Sequence, residues 1–234
     1  MSMKTKKIVP LITLFLLVSL VYAQDNTLTP QEKAEGWVLL FNGENFDGWS
    51  APQGTAPDSV WKIEDGVFSL RAPDDGQQMD IIAPALYSDF DLTIDFKLTA
   101  GANSGIKYFF SRYDKGGWLG LEYQIIDNER HPDAHNENRR LGALYDMFVA
   151  KATDAKVGEW NRARIVSRGS MVTHFLNGKQ VLRFDRASSD FEEARLRSKY
   201  RNAKPDFGSL SQGHILIQDH NDIVFFKNVK IKPL

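Results

Sequence analysis

Apolar residues recur along this chain in short alternating runs, and glycine-containing or polar breaks separate them. Side chains two apart share one face of an extended strand. The pattern therefore predicts strands at 37–41, 61–64, 67–70, 80–83, 90–98, 105–111, 121–127, 143–147, 161–167, 171–176, 179–185, 214–219 and 223–232. Asp65-Gly66, Arg168-Gly169 and Asn177-Gly178 fall between successive runs, where hairpins need residues that accept positive φ. Two short helices interrupt the strands. Thr29-Pro30 pairs an N-cap with proline at the first helical position and opens a helix ending near Gly36. Ser189-x-x-Glu192 reads as a capping box for the second, which Pro205 and Gly208 close. Helices do not alternate with strands, so the expected fold is all-β, a sandwich of two antiparallel sheets.

One run departs from the expected polarity. In 120–127 (GLEYQIID), Glu122, Gln124 and Ile126 share a face, while Leu121, Tyr123, Ile125 and Asp127 share the other. A carboxylate and an amide side by side in mid-strand each cost free energy unless they meet water or a partner. Two further runs repeat the oddity. Lys107 shares a face with Phe109 in 105–111, opposite Ile106, Tyr108 and Phe110. His214, Leu216, Gln218 and His220 share a face in 214–220, opposite Ile215, Ile217 and Asp219. A carboxylate, an amine, imidazoles and amides on one sheet supply acid–base and hydroxyl-binding groups together.

Charge and composition narrow the setting. Lys4, Lys6 and Lys7 precede an apolar run at 8–20, and Val21-Tyr22-Ala23 offers small residues at −3 and −1. This layout predicts a secretory signal peptide over 1–23, cleaved before Gln24, and a periplasmic or secreted bacterial protein with no stable membrane insertion. A linker and short helix over 24–34 would then lead into a single domain over 35–234. Removing 1–23 takes three of the 29 basic residues and none of the 30 acidic ones, leaving a net charge of about −4. Such a chain has no electrostatic draw toward nucleic acid. It has no cysteine, which excludes thiol catalysis and disulfides.

Other segments carry weaker signals. The insertion 128–140 holds His131, Asp133 and His135, residue types that ligate divalent metals, but in no closed zinc spacing. A flexible rim contacting ligand is the simpler expectation for it. The basic residues at 195–201 suit a helix C-terminus rather than a polyanion site. Trp118, in the glycine-rich segment 115–120, is the candidate exposed ring, and Trp37, Trp61 and Trp160 are expected inside. That glycine-rich segment opens no helix, so no nicotinamide fingerprint is present.

Several segments in order, 36–49 (GWVLLFNGENFDGW), 103–106 (NSGI), 120–127, 142–146 (GALYD), 159–161 (EWN), 174–178 (HFLNG) and 213–231 (GHILIQDHNDIVFFKNVKI), resemble the domain of unknown function 1080, described as the 3-keto-disaccharide hydrolase family, or 3-keto-glucoside 1,2-lyase and 3-keto-2-hydroxy-glucal hydratase. The resemblance covers 35–233. It implies a concanavalin-like jelly roll with a small 3-keto sugar on its concave face, cleaved by C2 proton abstraction, elimination and hydration. It implies Glu122 or His220 as base or acid, Lys107 as electrostatic stabiliser, and Asn103, Gln124 and Gln218 as hydroxyl ligands. Asp127, His135 and Tyr145 would stand at the rim with Trp118. The resemblance makes no cofactor certain, and a divalent ion polarising the ketone is compatible with the chemistry. Two other readings stay open: a non-catalytic carbohydrate-binding module of the same shape, and an ordinary glycosidase, which would need a second carboxylate such as Asp95 close to Glu122.

Overall fold

The computed structural model describes residues 24–52, 54–70, 78–113, 117–151, 155–202 and 207–234. The expected signal peptide lies outside the described residues, as does Pro205. In chain order the elements are α1 (Pro30–Ala34), β1 (Val38–Leu39), β2 (Trp61–Glu64), β3 (Val67–Leu70), β4 (Ile81–Ile82), β5 (Phe90–Leu98), β6 (Asn103–Tyr113), β7 (Gly117–Ile126), β8 (Asn161–Arg168), β9 (Met171–Leu176), β10 (Lys179–Asp185), α2 (Ser189–Arg197), β11 (His214–Ile217) and β12 (Val224–Pro233). Every pairing is antiparallel. The larger sheet runs β10-β9-β8-β5-β12-β3-β2, with β1 also on β12; the smaller runs β4-β11-β6-β7. The two sheets share one core, in which Phe90, Ile94, Phe96 and Ile165 of the larger meet Ile106, Tyr108, Tyr123 and Ile215 of the smaller. This is the expected two-sheet sandwich. Among the described residues no helix is long and apolar enough to cross a membrane.

Four local features differ from the sequence expectation. Residues 143–147 do not form a strand: Leu144 makes only isolated bridges, to Tyr123 and Phe148. The segment instead turns along the free edge of β7, where Asp146 at φ 61° breaks the extended run. The α2 cap is Ser188, whose side chain accepts from Phe191 N–H, one residue before the expected Ser189. Trp160 is outside the core, 37 % exposed, with the Lys97 and Lys227 ammonium groups over its ring. Trp37 is half-buried beside Lys232. Thr29 does form the expected N-terminal cap, as a complete capping box with Glu32.

The fourth difference reshapes the smaller sheet. Between Lys107 and Phe110, β6 counts three steps while β11 counts two, from Leu216 to His214. Against β7 it also counts three steps, Tyr108 to Ser111, for two from Leu121 to Leu119. The extra residue is Phe109, at φ 48°. A one-residue bulge inverts the facing of all that follows. Phe109 therefore joins Tyr108 in the inter-sheet core, and Phe110 moves to the outer face with Lys107. Simple alternation puts both rings on the wrong sides.

Glycines on both flanks make room for the bulge. A Cβ on Gly213 would stand 2.3 Å from the Phe109 carbonyl carbon, and one on Gly120 would stand 3.0 Å from Phe110 Cα. Both distances lie inside ordinary contact, so the backbones approach only because these residues lack side chains.

Candidate functional site

The face of the smaller sheet turned away from the larger one carries the unusual polar residues. Lys107 of β6 lies directly opposite Glu122 of β7, with Leu216 of β11 on its other side. One step along, Gly105 lies opposite Gln124, and Gln218 N–H donates to Gly105 O at 2.9 Å. The centre of this row has no side chain. A Cβ on Gly105 would stand 2.9 Å from Glu122 Oε1 and 3.1 Å from Gln218 Oε1, so both oxygens border the space above it. Gln218 Oε1 is buried there without a hydrogen-bond partner.

Glu122 and Gln124 are 4 % and 0 % exposed. Part of their cover comes from the turn along the β7 edge, where Gly142 N–H donates to Gln124 O and Tyr145 N–H to Glu122 O, at 2.9 and 3.0 Å. Gln124 touches Asn103 Oδ1 at 3.1 Å. With both amides turned over, Gln124 Nε2 donates to Glu122 Oε1 at 3.0 Å and to Ser104 O at 3.3 Å. That orientation gives the buried carboxylate a donor. Burial raises the Glu122 pKa, opposed by Lys107, Lys199 and His220 and reinforced by Asp80. Desolvation disfavours its charged form more than these cations favour it.

Asp80 carries no polarity anomaly in the sequence, although it opens a predicted strand. Its Oδ2 lies 3.7 Å from Lys107 Nζ, and its Oδ1 accepts from Asp219 N–H at 2.9 Å. Asp80, Lys107, Gln218 and His220 line a cleft of about 390 Å³ with Gln78 and Met79. Asp95, the second carboxylate a glycosidase would need, lies on the larger sheet. There it is clamped bidentately by Arg162 and also bonded by Asn228.

A second wall forms where three segments meet. Tyr145 Oη donates to Asp133 Oδ2 at 2.6 Å, and Arg139 bridges Asp133 and Asp146 at 2.7 and 2.6 Å. The other Asp146 oxygen accepts from Lys199 N–H at 2.6 Å. This holds Lys199 with its ammonium 4.0 Å from the Tyr145 ring centroid. Burial lowers the Lys199 pKa, with Glu122 pulling the other way. The basic stretch after α2 thus sends one cation toward Glu122, which helix-end chemistry does not foreshadow.

His131, His220 and Asp222 form a cluster able to hold a divalent cation, with one donor atom from each within 4.8 Å of the others. Asp222 Oδ2 already accepts from Asn103 N–H at 3.0 Å, which fixes its orientation. The cluster replaces the His131–Asp133–His135 grouping suggested by the insertion. Asp133 is taken by Arg139 and Tyr145, and His135 is exposed. His131 Nδ1 accepts from Asp133 N–H at 3.1 Å, which places the ring proton on Nε2, so ligating a cation through Nε2 would mean moving that proton and giving up this hydrogen bond. The donor types suit a divalent transition ion.

Asp127 is occupied locally: it accepts from Gly101 and Glu129 N–H at 2.8 and 3.0 Å and shapes the turn after β7. Trp118 belongs to β7 itself and stacks on Phe110, ring centroids 5.2 Å apart. The structure therefore brings together Asn103, Lys107, Glu122, Gln124, Gln218 and His220, places Tyr145 and Trp118 at the borders, and separates Asp127 and His135. A larger cavity, about 480 Å³, is lined by Glu137, Arg140 and Lys151, all exposed and with none of these buried groups.

A β-sandwich with buried acid–base groups and amides on one outer face is an architecture suited to carbohydrate-active proteins, and the comparisons agree. The 3-keto-alpha-glucoside-1,2-lyase-like domain matches residues 36–232. A Bacteroides thetaiotaomicron protein named 3-keto-disaccharide hydrolase is 32 % identical, over 92 % of this chain and 84 % of its own. A Parabacteroides distasonis crystal structure described as a glycosyl hydrolase superposes with TM-score 0.80 at 34 % identity, covering 90 % of this chain and all of that one. A second from that organism gives 0.66 at 28 % identity, covering 85 % and 99 %. The chain belongs to the 3-keto-alpha-glucoside-1,2-lyase-like family, a family of carbohydrate-active enzymes.

Proposed function

We propose that this protein cleaves 3-keto-glucosides or 3-keto-disaccharides by elimination across C1–C2 followed by hydration. The observation that carries the reading is the register pair Lys107–Glu122, an amine and a buried carboxylate abreast on the outer face of the sheet. A C3 ketone acidifies the C2 proton. A base removes that proton, electron density moves onto the C3 oxygen, and the enolate then expels the C1 substituent. The leaving oxygen takes up a proton, giving a free alcohol and a 2-hydroxy enone. Addition of water at C1 completes a net hydrolysis.

Glu122 is the proton carrier in this scheme. Its burial raises its basicity toward the range where a carboxylate accepts a carbon-bound proton at neutral pH. Lys107 supplies the positive pole for the enolate oxygen, an interaction strongest where charge develops. Gln218, with an unpartnered buried oxygen, accepts from a sugar hydroxyl, and Gln124 orients Glu122. His131, His220 and Asp222 would hold a divalent cation, which when bound supplies Lewis-acid polarisation of a carbonyl. Asp80 faces Lys107 at 3.7 Å and accepts from Asp219 N–H, and the unoxidised-trehalose control below tells whether it acts with Glu122 as a glycosidase pair. A pure binding module would leave a buried carboxylate of raised pKa without a purpose.

The test incubates purified protein with 3-keto-trehalose and with unoxidised trehalose, with and without chelator. Cleavage of the keto sugar alone is expected. Cleavage of both identifies an ordinary glycosidase, and binding without cleavage identifies a binding module. Loss of cleavage on chelation, restored by a divalent ion and absent from a His220→Ala variant, assigns the cation to the histidine cluster.

A further inference from the structure

The proposed reaction leaves one proton without a source. Glu122 carries the proton taken from C2 and Lys107 faces the enolate oxygen, but the departing C1 oxygen of a sugar or alkyl group also needs a proton. The charges that act most strongly on Glu122 are those of Lys107, Lys199, Asp80 and His220. Lys107 and Asp80 face each other at 3.7 Å. His220 belongs to the cation cluster and stands 3.8 Å from Asp222. Tyr145 gives its proton to Asp133 at 2.6 Å, and burial together with that carboxylate raises its pKa, which makes it a weak acid. Lys199 is in a different position. Among the described residues no salt bridge or side-chain hydrogen bond holds its ammonium, which rests on the rings of Tyr145 and Tyr200, 4.0 and 5.1 Å from their centroids.

The β7 edge sets where this ammonium stands. Glu122 has β6 on one side, with Lys107 directly opposite. On the other side β7 is the last strand of its sheet, and Tyr145 N–H donates to Glu122 O there at 3.0 Å. Lys199 packs on the Tyr145 ring, and its own N–H is tied to Asp146 Oδ2 at 2.6 Å. Tyr200 is buried and stacked on Phe207 at 4.3 Å, so the second ring under the ammonium is fixed as well. Two ammonium groups thus approach Glu122 over opposite edges of β7, one engaged by Asp80 and one unengaged. Lys199 is exposed, so a substrate atom can reach Nζ. Burial against the rings lowers its pKa, and the charge of Lys107 acts in the same direction. Both make it a readier proton donor than an ordinary lysine.

We infer that Lys199 is the acid–base group for the C1 oxygen, giving its proton to the leaving group while Glu122 takes the one on C2. This rests on the reaction proposed above. In the elimination the C1–O bond breaks with its electron pair on oxygen, that oxygen bonds the Lys199 proton, and a neutral amine remains. In the hydration the amine takes a proton from water as the water oxygen bonds to C1, and Glu122 returns its proton to C2. Both side chains end as they began.

The test compares kcat/KM for 3-keto methyl glucoside, whose alkoxide is too basic to leave unprotonated, with 3-keto 4-nitrophenyl glucoside, whose phenolate leaves without help. It uses wild type, Lys199→Met and Lys199→Arg, with circular dichroism checking the fold. The nitrophenyl-over-methyl ratio should rise about 100-fold in Lys199→Met, the lower end of the range for general acid–base groups. It should stay raised in Lys199→Arg, which keeps the charge but holds its proton too tightly to give it up. Equal losses on the two substrates overturn the assignment. Recovery of methyl glucoside cleavage in Lys199→Arg also overturns it, leaving Lys199 as a positive charge and not an acid. A wild type that cleaves neither keto sugar removes the reaction and this role with it, whereas a wild type that cleaves both, with a ratio that Lys199→Met does not move, removes the role of Lys199 alone.

Discussion

His174 and Glu122 are both buried with shifted pKa values, yet they sit on opposite sides of the smaller sheet and in opposite circumstances. His174 of β9 lies in the inter-sheet core, 0 % exposed. Its Nδ1 is 2.9 Å from Gly142 O, which can only accept, so Nδ1 carries the proton and Nε2 accepts from Tyr108 Oη at 2.8 Å. Both ring nitrogens are satisfied by groups fixed in the fold, and burial lowers the pKa to about 4. Glu122 lies on the outer face. It borders an open position above Gly105, a second acceptor oxygen without a donor, and two lysines. Burial alone does not distinguish structure from chemistry here. What distinguishes them is whether the hydrogen-bonding capacity is used up inside the fold.

The sharpest way to break this comparison is to remove each group in turn. Glu122→Gln keeps the shape and removes the proton carrier. Turnover of a 3-keto glucoside should fall by about a thousandfold, the upper part of the range for general acid–base groups, while chemical unfolding shows stability unchanged or slightly raised, because a buried carboxylate has gone. His174→Phe should do the reverse. It leaves Tyr108 Oη and Gly142 O without partners in the core and should cost about 2–4 kcal/mol in urea unfolding, with kcat per folded molecule within about threefold of wild type. A glutamine variant with near wild-type turnover would move the proton carrier elsewhere and leave the family unaffected.

Most strands are legible in the sequence because their runs are bounded by hairpin turns and alternate cleanly. β2, β3, β5, β9 and β10 fall where alternation puts them. Glu122, Gln124 and Lys107 are legible for the same reason: a polar side chain in mid-strand is costly unless a partner or a ligand meets it. What is not legible follows from long-range geometry. Phe109 and Phe110 exchange faces because of a bulge accommodated by Gly120 and Gly213, one on the neighbouring strand and one more than 100 residues away. Lys199 reaches the site through an Asp146–Arg139–Asp133 clamp that no spacing rule connects. Asp222 lies within the segment 213–231, and its spacing of two from His220 is the available signal for the pair that His131 completes.

A subtler break leaves both titratable groups in place. Gly105→Ala adds one methyl where Glu122 Oε1 and Gln218 Oε1 converge, at 2.9 and 3.1 Å. Gly105 φ is not positive, so alanine is tolerated by the backbone. The side chains must yield by a few tenths of an ångström, and the position above Gly105 is filled. A loss of about 10- to 100-fold in kcat/KM is expected, in line with small misplacements at reacting centres, with a modest stability change. Full activity would mean that substrate does not use the space between the two oxygens.

The smallest effect is the most specific, because the two groups pull stability in opposite directions with pH. His174 has its folded pKa depressed to about 4 against 6.5 when free, so the unfolded chain binds the extra proton between those values. Its contribution is fully present above 6.5 and is lost as pH falls toward about 4, in principle by about 3 kcal/mol at 1.36 kcal/mol per unit. Glu122 has its folded pKa raised, so its contribution is present below the free carboxylate value of 4.5 and declines as pH rises through the folded value. Urea midpoints measured from pH 4 to 8 should therefore show a falling acid limb that His174→Phe flattens, and an opposing decline with rising pH, beginning above 4.5, that Glu122→Gln flattens. Should the glutamine variant flatten the acid limb instead, the Glu122 pKa would be depressed rather than raised in the folded protein. Glu122 would then be a fixed anion paired with Lys107, and the base would have to be sought at His220.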